Sequence, residues 1–577
     1  MGPFFLRTAL IVVGLASTLS YAQHCPLLGP AYPAATDVTS PALVAAKTKF
    51  DEALASSAEV DQDRVWFAIE VYSSKSKDAT PIYRHFNTPP AQNSSVSVTV
   101  GPDTVFRIHS ISKVITVYAM LAKLSYKYWH EPVTKYVPEL AGSPARDVVN
   151  DVDWSEVTLG SLAGQISGIS RDYALGDAST VLPSVPGLRK LEDHEFVRCG
   201  SPPHAPCSRA DAFKHILQTW PSALSYRTPN YSNMAFQILA YAVENITGMP
   251  FPDLVTEQLL KPLNLSRTYL SQPSDDTNAV VWDGWDIDFG EEAPMGGYYS
   301  SLNDLTTIGR SILNSTILSP LDTRQWLKPI THTSSLRFSM GSPWEIIRAS
   351  VPVRTDAAGP ASKTTRNVDF YTKQGGGDTY TSLLGLSPDH DVGVSILTAG
   401  PVSGATMIAI RELFVDIWLP AAEQAARDQA VTDLVGNYTL GPENDTATFS
   451  VAEVSIDPDE PAVFVSKLIS NGTDVMALLR ANTNNIVGDG EMRMWLYPMG
   501  LVSKKSSGGK TRTAFRGVVG LAGKPAAVDG CGSWAEGDRL RWGNYPADLV
   551  IFETGADGKA KGLEVPILGA TLKRDGH

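Results

Sequence analysis

The chain reads as an α+β protein organised on an antiparallel sheet, with a separate all-β unit after it. Three observations lead there. Phe370-Tyr371-Thr372-Lys373, Ser382-Leu383-Leu384-Gly385-Leu386 and Val392-Gly393-Val394-Ser395-Ile396-Leu397 are strand-like runs divided by a glycine tip and by the turn Pro388-Asp389-His390-Asp391, which makes an antiparallel meander. Val65-Trp66-Phe67-Ala68-Ile69-Glu70-Val71-Tyr72 and a return strand near Ile82-Tyr83-Arg84 precede an apolar run of helical length, residues 106–121. After about residue 430 the texture changes to short alternating runs, such as Ala462-Val463-Phe464-Val465 and Met492-Arg493-Met494-Trp495-Leu496-Tyr497, punctuated by Gly, Asn and Asp turns. That texture predicts a small barrel or sandwich.

The remaining elements follow in order. Residues 44–58 have the pattern of a short amphipathic helix, and the apolar helix carrying Ser110 is expected to run towards Tyr128. Residues 158–163 begin another helix, with Gly168 as its left-handed cap. Residues 174–208 form a long Pro/Gly-rich excursion of the kind that often roofs a site. Tyr231-Ser232-Asn233 is a turn ahead of an apolar helix over 234–245, and a helix capped by Asn303 or Asp304 runs to Leu313. A last apolar helix spans 406–419, and Pro420 opens a polar stretch that reads as a linker to about residue 430.

A chain of 577 residues exceeds one ordinary core. The divisions expected are a leader at 1–22, an α+β domain at 45–422 and an all-β accessory domain at 431–577. The leader has the three parts of a secretory signal: Arg7, the apolar run 8–19, and small residues in Ser20-Tyr21-Ala22 before a cut ahead of Gln23. That run falls short of a membrane span, and with no other long apolar segment the expectation is a secreted, extracellular protein without a membrane anchor. The net charge of −13 argues against nucleic-acid binding. No sequence feature sets an oligomeric state.

Four cysteines in an exported chain suggest disulfides. Cys199 and Cys207 flank a seven-residue loop that a bridge would staple, leaving Cys25 and Cys531 as the second pair, although four cysteines allow three connectivities. No paired Cys/His spacing suggests a metal site. Asn-x-Ser/Thr sequons at Asn93, Asn245, Asn264, Asn314, Asn437, Asn444 and Asn471 fit a glycoprotein. The sequon at Asn230 is expected to stay unused, because a glycan there would block the candidate site.

Chemistry concentrates at three places. Ser110 and Lys113 stand three apart, so on a helix they share a face. A lysine in an apolar setting can take a serine proton, and the helix N-terminus favours an oxyanion. Two other Ser-x-x-Lys matches, Ser74 with Lys77 and Ser507 with Lys510, lie in polar or Gly-rich loops. Tyr231, biased towards phenolate by neighbouring lysines, is a candidate base or proton relay, and Asn233 a positioning group. Lys373 runs into Gly375-Gly376-Gly377, where glycines permit close approach and the Gly376 N–H can point at an oxyanion. The glycine run lacks the Gly-Lys-Ser/Thr and following helix of a phosphate loop, and no Gly-x-Ser-x-Gly elbow is present.

Ser110-x-x-Lys113, Tyr231-x-Asn233 and Lys373-x-Gly375, in that order, resemble the penicillin-recognising serine hydrolase family, in particular class C β-lactamases, D-aminopeptidases and β-lactamase-like esterases. The resemblance covers roughly residues 45–420 and implies the β-lactamase/transpeptidase-like fold. Cys25 and Cys531-Gly532-Ser533-Trp534 are similar to features of secreted fungal members with an added C-terminal β domain. The resemblance implies that Ser110 is acylated, that Lys113 and Tyr231 move protons, and that Lys373 holds an anionic or polar group of a small-molecule substrate. The Ser110 and Gly376 N–H groups would form the oxyanion hole, with no cofactor. Gln374 replaces the usual Thr or Ser, Gln165 the common His, and Asp378 adds a negative charge; these departures shift the expected substrate from β-lactams and D-peptides towards esters or amides. The same residues permit acyl transfer in secondary-metabolite biosynthesis, and a secreted binding glycoprotein with a vestigial cleft is the reading from another class.

Overall fold

A computed structural model describes the chain except residues 1–24, 91–97, 143–146, 181, 183, 203, 356–361, 378, 483–489, 505–509, 523–532 and 577. The leader, Asn93, Asp378, Ser507 and Cys531 therefore lie outside the described residues. The chain divides into two compact units: residues 29–351 with 367–432, and residues 1–28 with 352–366 and 433–577.

The larger unit is built on an eight-stranded sheet. Its strands are β1 (Trp66–Ser73) and β2 (Tyr83–Asn87), then β5 (Thr331–His332), β6 (Phe338–Met340), β7 (Glu345–Pro352), β8 (Thr365–Gly376), β9 (Tyr380–Ser387) and β10 (Val392–Ala399), in the order β2-β1-β10-β9-β8-β7-β6-β5. The expected meander is its centre, with Lys373 opposite Leu384 and Ser395 opposite Leu384 from the other side. Every residue of β1 is buried because helices cover both faces. Trp66, Ala68 and Tyr72 join one core with the Ser112–Leu124 helix, while Phe67, Ile69 and Val71 join a second with the Pro41–Ser56 and Ser403–Leu413 helices. That alternation is the period of two that a strand imposes. Of the polar residues in β1, Glu70 is paired with Arg84 and Arg310, and Ser73 Oγ donates to Asp391.

The Ser112–Leu124 helix is buried over its first ten residues, so it has no solvent face there, and it stops at Ser125 (φ 50°) rather than near Tyr128. Just before it a two-stranded ribbon, β3 (Val105–Arg107) with β4 (Tyr299–Ser301), holds the Ser110 turn from behind.

Three local expectations are corrected. The Leu302–Leu313 helix is capped by Ser301, whose Oγ accepts the Asp304 N–H; Asp304 is the third residue of the helix and binds Arg267 N and Thr268 Oγ1. The Leu159–Ala163 helix ends at Gly164, and Gly168 (φ 74°) serves a later turn, where a Cβ would meet the Ala223 carbonyl oxygen at 2.2 Å. The stretch after Pro420 is helical, Leu419–Leu434, not a linker. A wide π turn, Phe414–Trp418, comes immediately before, which accommodates a ring that would otherwise crowd the carbonyl four residues earlier. Ala421, Ala422 and Ala425 pack on the second core, while Arg427 donates to the Tyr32 hydroxyl and Glu423 bonds His390.

The second unit is a closed barrel. β11 (Gly436–Leu440), β12 (Ser450–Ile456), β13 (Val463–Ser470), β14 (Thr473–Asp474), β15 (Met492–Lys504), β16 (Thr511–Leu521), the short ribbon β17 (Arg541–Trp542) and β18 (Tyr545–Pro546), then β19 (Leu549–Thr554), β20 (Ala560–Val565) and β21 (Ala570–Arg574) follow one another. The order β12-β11-β21-β20-β19-β16-β15-β13 returns from β13 to β12, so eight strands close without a free edge. The runs noted in the sequence split between two faces: Val463, Val465, Met494 and Leu496 share the inner face with Phe515 and Phe552, while Ala462, Phe464, Trp495 and Tyr497 form a separate cluster on the other face. Cys199 and Cys207, in the larger unit, are bridged, with their Cα atoms 4.8 Å apart. Among the described residues no helix is long and apolar enough to cross a membrane, and no cluster of His, Cys, Asp and Glu is arranged to hold a metal.

Gly309 seats Tyr72: a Cβ there would stand 1.8 Å from the tyrosine oxygen. Alanine would gain about 1 kcal/mol of helix propensity. The clash outweighs this, so Gly309→Ala should destabilise the larger unit by about 1–3 kcal/mol net, read as a lowered thermal unfolding transition.

Candidate active site

Ser110 lies in a tight 3₁₀ turn, His109–Ile111, that feeds the buried helix. His109 adopts φ 42°, an uncommon conformation for a residue with a Cβ, and this bend turns the chain from β3 into the helix. The turn is anchored by backbone: Ile108 N donates to Tyr298 O, and Ile108 O accepts from Ser382 Oγ on β9.

Two side chains converge on Ser110 Oγ. The Tyr231 hydroxyl donates to it at 2.7 Å and Lys113 Nζ at 3.1 Å. Lys113 also donates to Asn233 Oδ1 at 2.8 Å and to the Met295 carbonyl at 2.5 Å. An ammonium has three N–H bonds. Each one has an acceptor here, so the arrangement is made for a charged lysine in a buried place. Asn233 Nδ2 in turn donates to Asp172 Oδ2 at 3.1 Å, which fixes which way the amide faces.

Lys373 reaches the same site from β8. Its Nζ donates to Glu345 Oε1 at 2.6 Å and to the Gln374 carbonyl at 2.7 Å, and lies 5.3 Å from the Tyr231 ring centre. Glu345 Oε2 accepts the Gln374 N–H at 3.0 Å. Gly377 N bonds Tyr380 O on β9, so by antiparallel alternation the Gly376 N–H faces away from β9, as the Gln374 N–H does. Gly375 is needed for backbone approach rather than for a substrate: a Cβ there would lie 2.0 Å from Ile108 O. At Gly376 the nearest atom would be 4.0 Å away, Gln374 Nε2.

Burial works to raise the Tyr231 pKa, but the Lys113 and Lys373 charges outweigh it and bring the phenol down to about 8. Burial lowers the Lys113 pKa, assisted by Lys373 and opposed by Tyr231. For Lys373 burial acts in the same direction, but the Glu345 and Tyr231 anions overcome it and raise the value. Asp172 is pushed up to about 6 by burial, and His109 down to about 3 by burial and by the nearby Arg107 and Lys113, so the imidazole is neutral.

These groups line a cleft of about 480 Å³ together with Leu175, Phe289, Phe338, Ile347 and Arg171. The structure thus brings together Ser110, Lys113, Tyr231, Asn233, Lys373 and Gly376, with Gly375 behind them. Gln165 is not in the cleft. It takes φ 58°, and its Oε1 accepts the Ser232 N–H, fixing the Tyr231 turn. Asn230 spends its amide on Ile169 O at 3.0 Å. Sequence reasoning missed Glu345, Asp172 and His109. Only His109, adjacent to Ser110, carried any signal.

Comparison with known proteins matches residues 80–413 to the family model "Beta-lactamase" and residues 426–576 to "Beta-lactamase-like-like, C-terminal domain". A "Beta-lactamase-like protein" of Arthroderma benhamiae is 30% identical over 81% of this chain and 80% of its own. A "Probable hydrolase M10" of Phoma sp. is 27% identical over 74% and 70%. The "D-alanyl-D-alanine-carboxypeptidase/endopeptidase AmpH" of Escherichia coli K12 is 24% identical over 52% and 72%.

Asn233→Ala would leave the buried Lys113 ammonium with one acceptor fewer. The expected cost is about 2–3 kcal/mol, measured by chemical denaturation of the full chain.

Proposed function

Because the chain belongs to the β-lactamase family, we propose that it is a serine hydrolase that cleaves ester or amide bonds of a small molecule through an acyl-enzyme on Ser110. The observation that carries this reading is the convergence of the Tyr231 oxygen and the Lys113 ammonium on Ser110 Oγ at 2.7 and 3.1 Å.

With Lys113 charged and its three N–H bonds engaged, the base is Tyr231. As phenolate it accepts the Ser110 proton; Oγ then bonds to the substrate carbonyl carbon, and the C=O electron pair moves to oxygen. The Ser110 and Gly376 N–H groups would meet that oxyanion. On collapse the bond to the leaving alcohol or amine breaks, and the leaving group takes the proton from Tyr231. Water repeats the sequence, releases the acid and restores Ser110. None of these steps requires a cofactor.

The reading extends to an exported glycoprotein. Asn245, Asn264, Asn314, Asn437, Asn444 and Asn471 are all exposed, which glycan attachment requires, although the Asn245 amide also donates to Tyr136 O. Enzymatic deglycosylation of protein secreted from a fungal host should lower its mass. An unchanged mass would refute glycosylation.

A fluorophosphonate should label Ser110, mapped by mass spectrometry, and Ser110→Ala should not react; unlabelled wild type would overturn the acyl-enzyme reading. The labelling rate should climb with pH to a plateau above about 8, where Tyr231 is ionised. Below the midpoint it should fall about tenfold per pH unit. Tyr231→Phe should cost about 100- to 10,000-fold and remove that pH dependence.

A further inference from the structure

The cations at the cleft other than Arg171, whose side chain is 65% exposed, are already engaged. Lys113 is spent on Ser110, Asn233 and Met295. Arg411 is paired with Glu412, its Nη2 at 2.6 Å. Arg171 stacks over the Tyr231 ring at 4.6 Å with its Nε 3.5 Å from Asp172. Lys373 is the cation best placed at the strand edge beside Ser110, and it is buried under Glu345, whose two carboxylate oxygens are both engaged, one by the ammonium and one by the Gln374 N–H. Glu345 is 19% exposed against 2% for Lys373 and lines the cleft beside it, so a group that approached Lys373 would also face that carboxylate. Leu175, Phe289, Phe338 and Ile347 line the same cleft together with the polar Thr372 and Gln374.

Resting on the acyl-enzyme reading, we infer that the cleft selects acyl compounds carrying no charge beside the scissile bond, because Glu345 occupies the cation that would otherwise hold a substrate carboxylate. The substrate class is then a neutral ester or amide. Glu345 is the specificity-determining residue. A carboxylate placed against it faces like-charge repulsion and must displace a buried ion pair to reach Lys373. A neutral substrate leaves that pair intact, and with it the charge that Lys373 directs at Tyr231.

The test compares two alkyl fluorophosphonates of equal length, one uncharged and one ending in a carboxylate, through their second-order labelling rates on the wild type and on Glu345→Gln. The wild type should react with the uncharged probe about tenfold faster or more. In Glu345→Gln the ratio of the two rates should fall towards one. Because the ratio is internal to each protein, a general loss of reactivity cancels, and the wild-type arm stands if the variant fails to fold. A wild type that prefers the anionic probe, or a ratio unchanged by Glu345→Gln in a folded variant, overturns the inference while leaving Ser110 an acylated nucleophile. Loss of an anionic preference in Arg171→Gln would assign that preference to Arg171 and also overturn it. Absence of labelling by either probe, by contrast, overturns the acyl-enzyme reading on which the inference rests.

Discussion

The buried Lys113 ammonium is the constraint that the larger unit is arranged to satisfy. A charge removed from water costs several kcal/mol unless hydrogen bonds replace its hydration. Here the replacements come from three segments far apart in the chain: Ser110 in the preceding turn, Asn233 at the head of the Met234–Thr247 helix, and the Met295 carbonyl. If any one of them moves, the ammonium loses an acceptor. The position of Ser110 is therefore held by the energetics of its neighbour.

The second lysine sets the electrostatics. Tyr231 lies between two ammonium groups, with ring-centre distances of 4.9 Å to Lys113 and 5.3 Å to Lys373. Burial opposes the phenolate and the two charges favour it, and the balance falls near neutral pH. Glu345 moderates this field: it keeps Lys373 protonated and in place, and its negative charge offsets part of the positive potential there. One ion pair thus holds the charge that lowers the Tyr231 pKa.

Much of this was legible in the sequence, and the parts that were not share a physical cause. The meander, the apolar helix and the three motifs are short-range patterns, a period of two, a continuous apolar run and residues spaced two or three apart, and each survives in the structure. Glu345 bonds Lys373 from 28 residues away, and Asp172 meets Asn233 across 61, with no local periodicity to mark either. The stretch after Pro420 misled for a different reason. Its polar residues resemble a linker, but its alanines recur at helical spacing, and the π turn that makes room for the proline is not visible in composition. Ser301, not Asp304, caps its helix, although Ser-x-x-Asp is itself a legible capping pattern.

The glycine of the third motif shows why such a motif is rigid in a way that substrate contact would not demand. Gly375 has the Ile108 carbonyl against its Cα, so that β8 can lie directly on the turn carrying Ser110. Ser382, the residue opposite Gly375 on β9, donates to that same carbonyl. The Ser110 turn is therefore fastened to the sheet through one backbone oxygen, with Lys373 two residues before the contact and Gly376 one after it. Any displacement of β8 carries the ammonium and the outward-facing N–H together with respect to Ser110. All of these contacts lie within residues 29–351 and 367–432, so the geometry of the site follows from that unit's own sheet and helices.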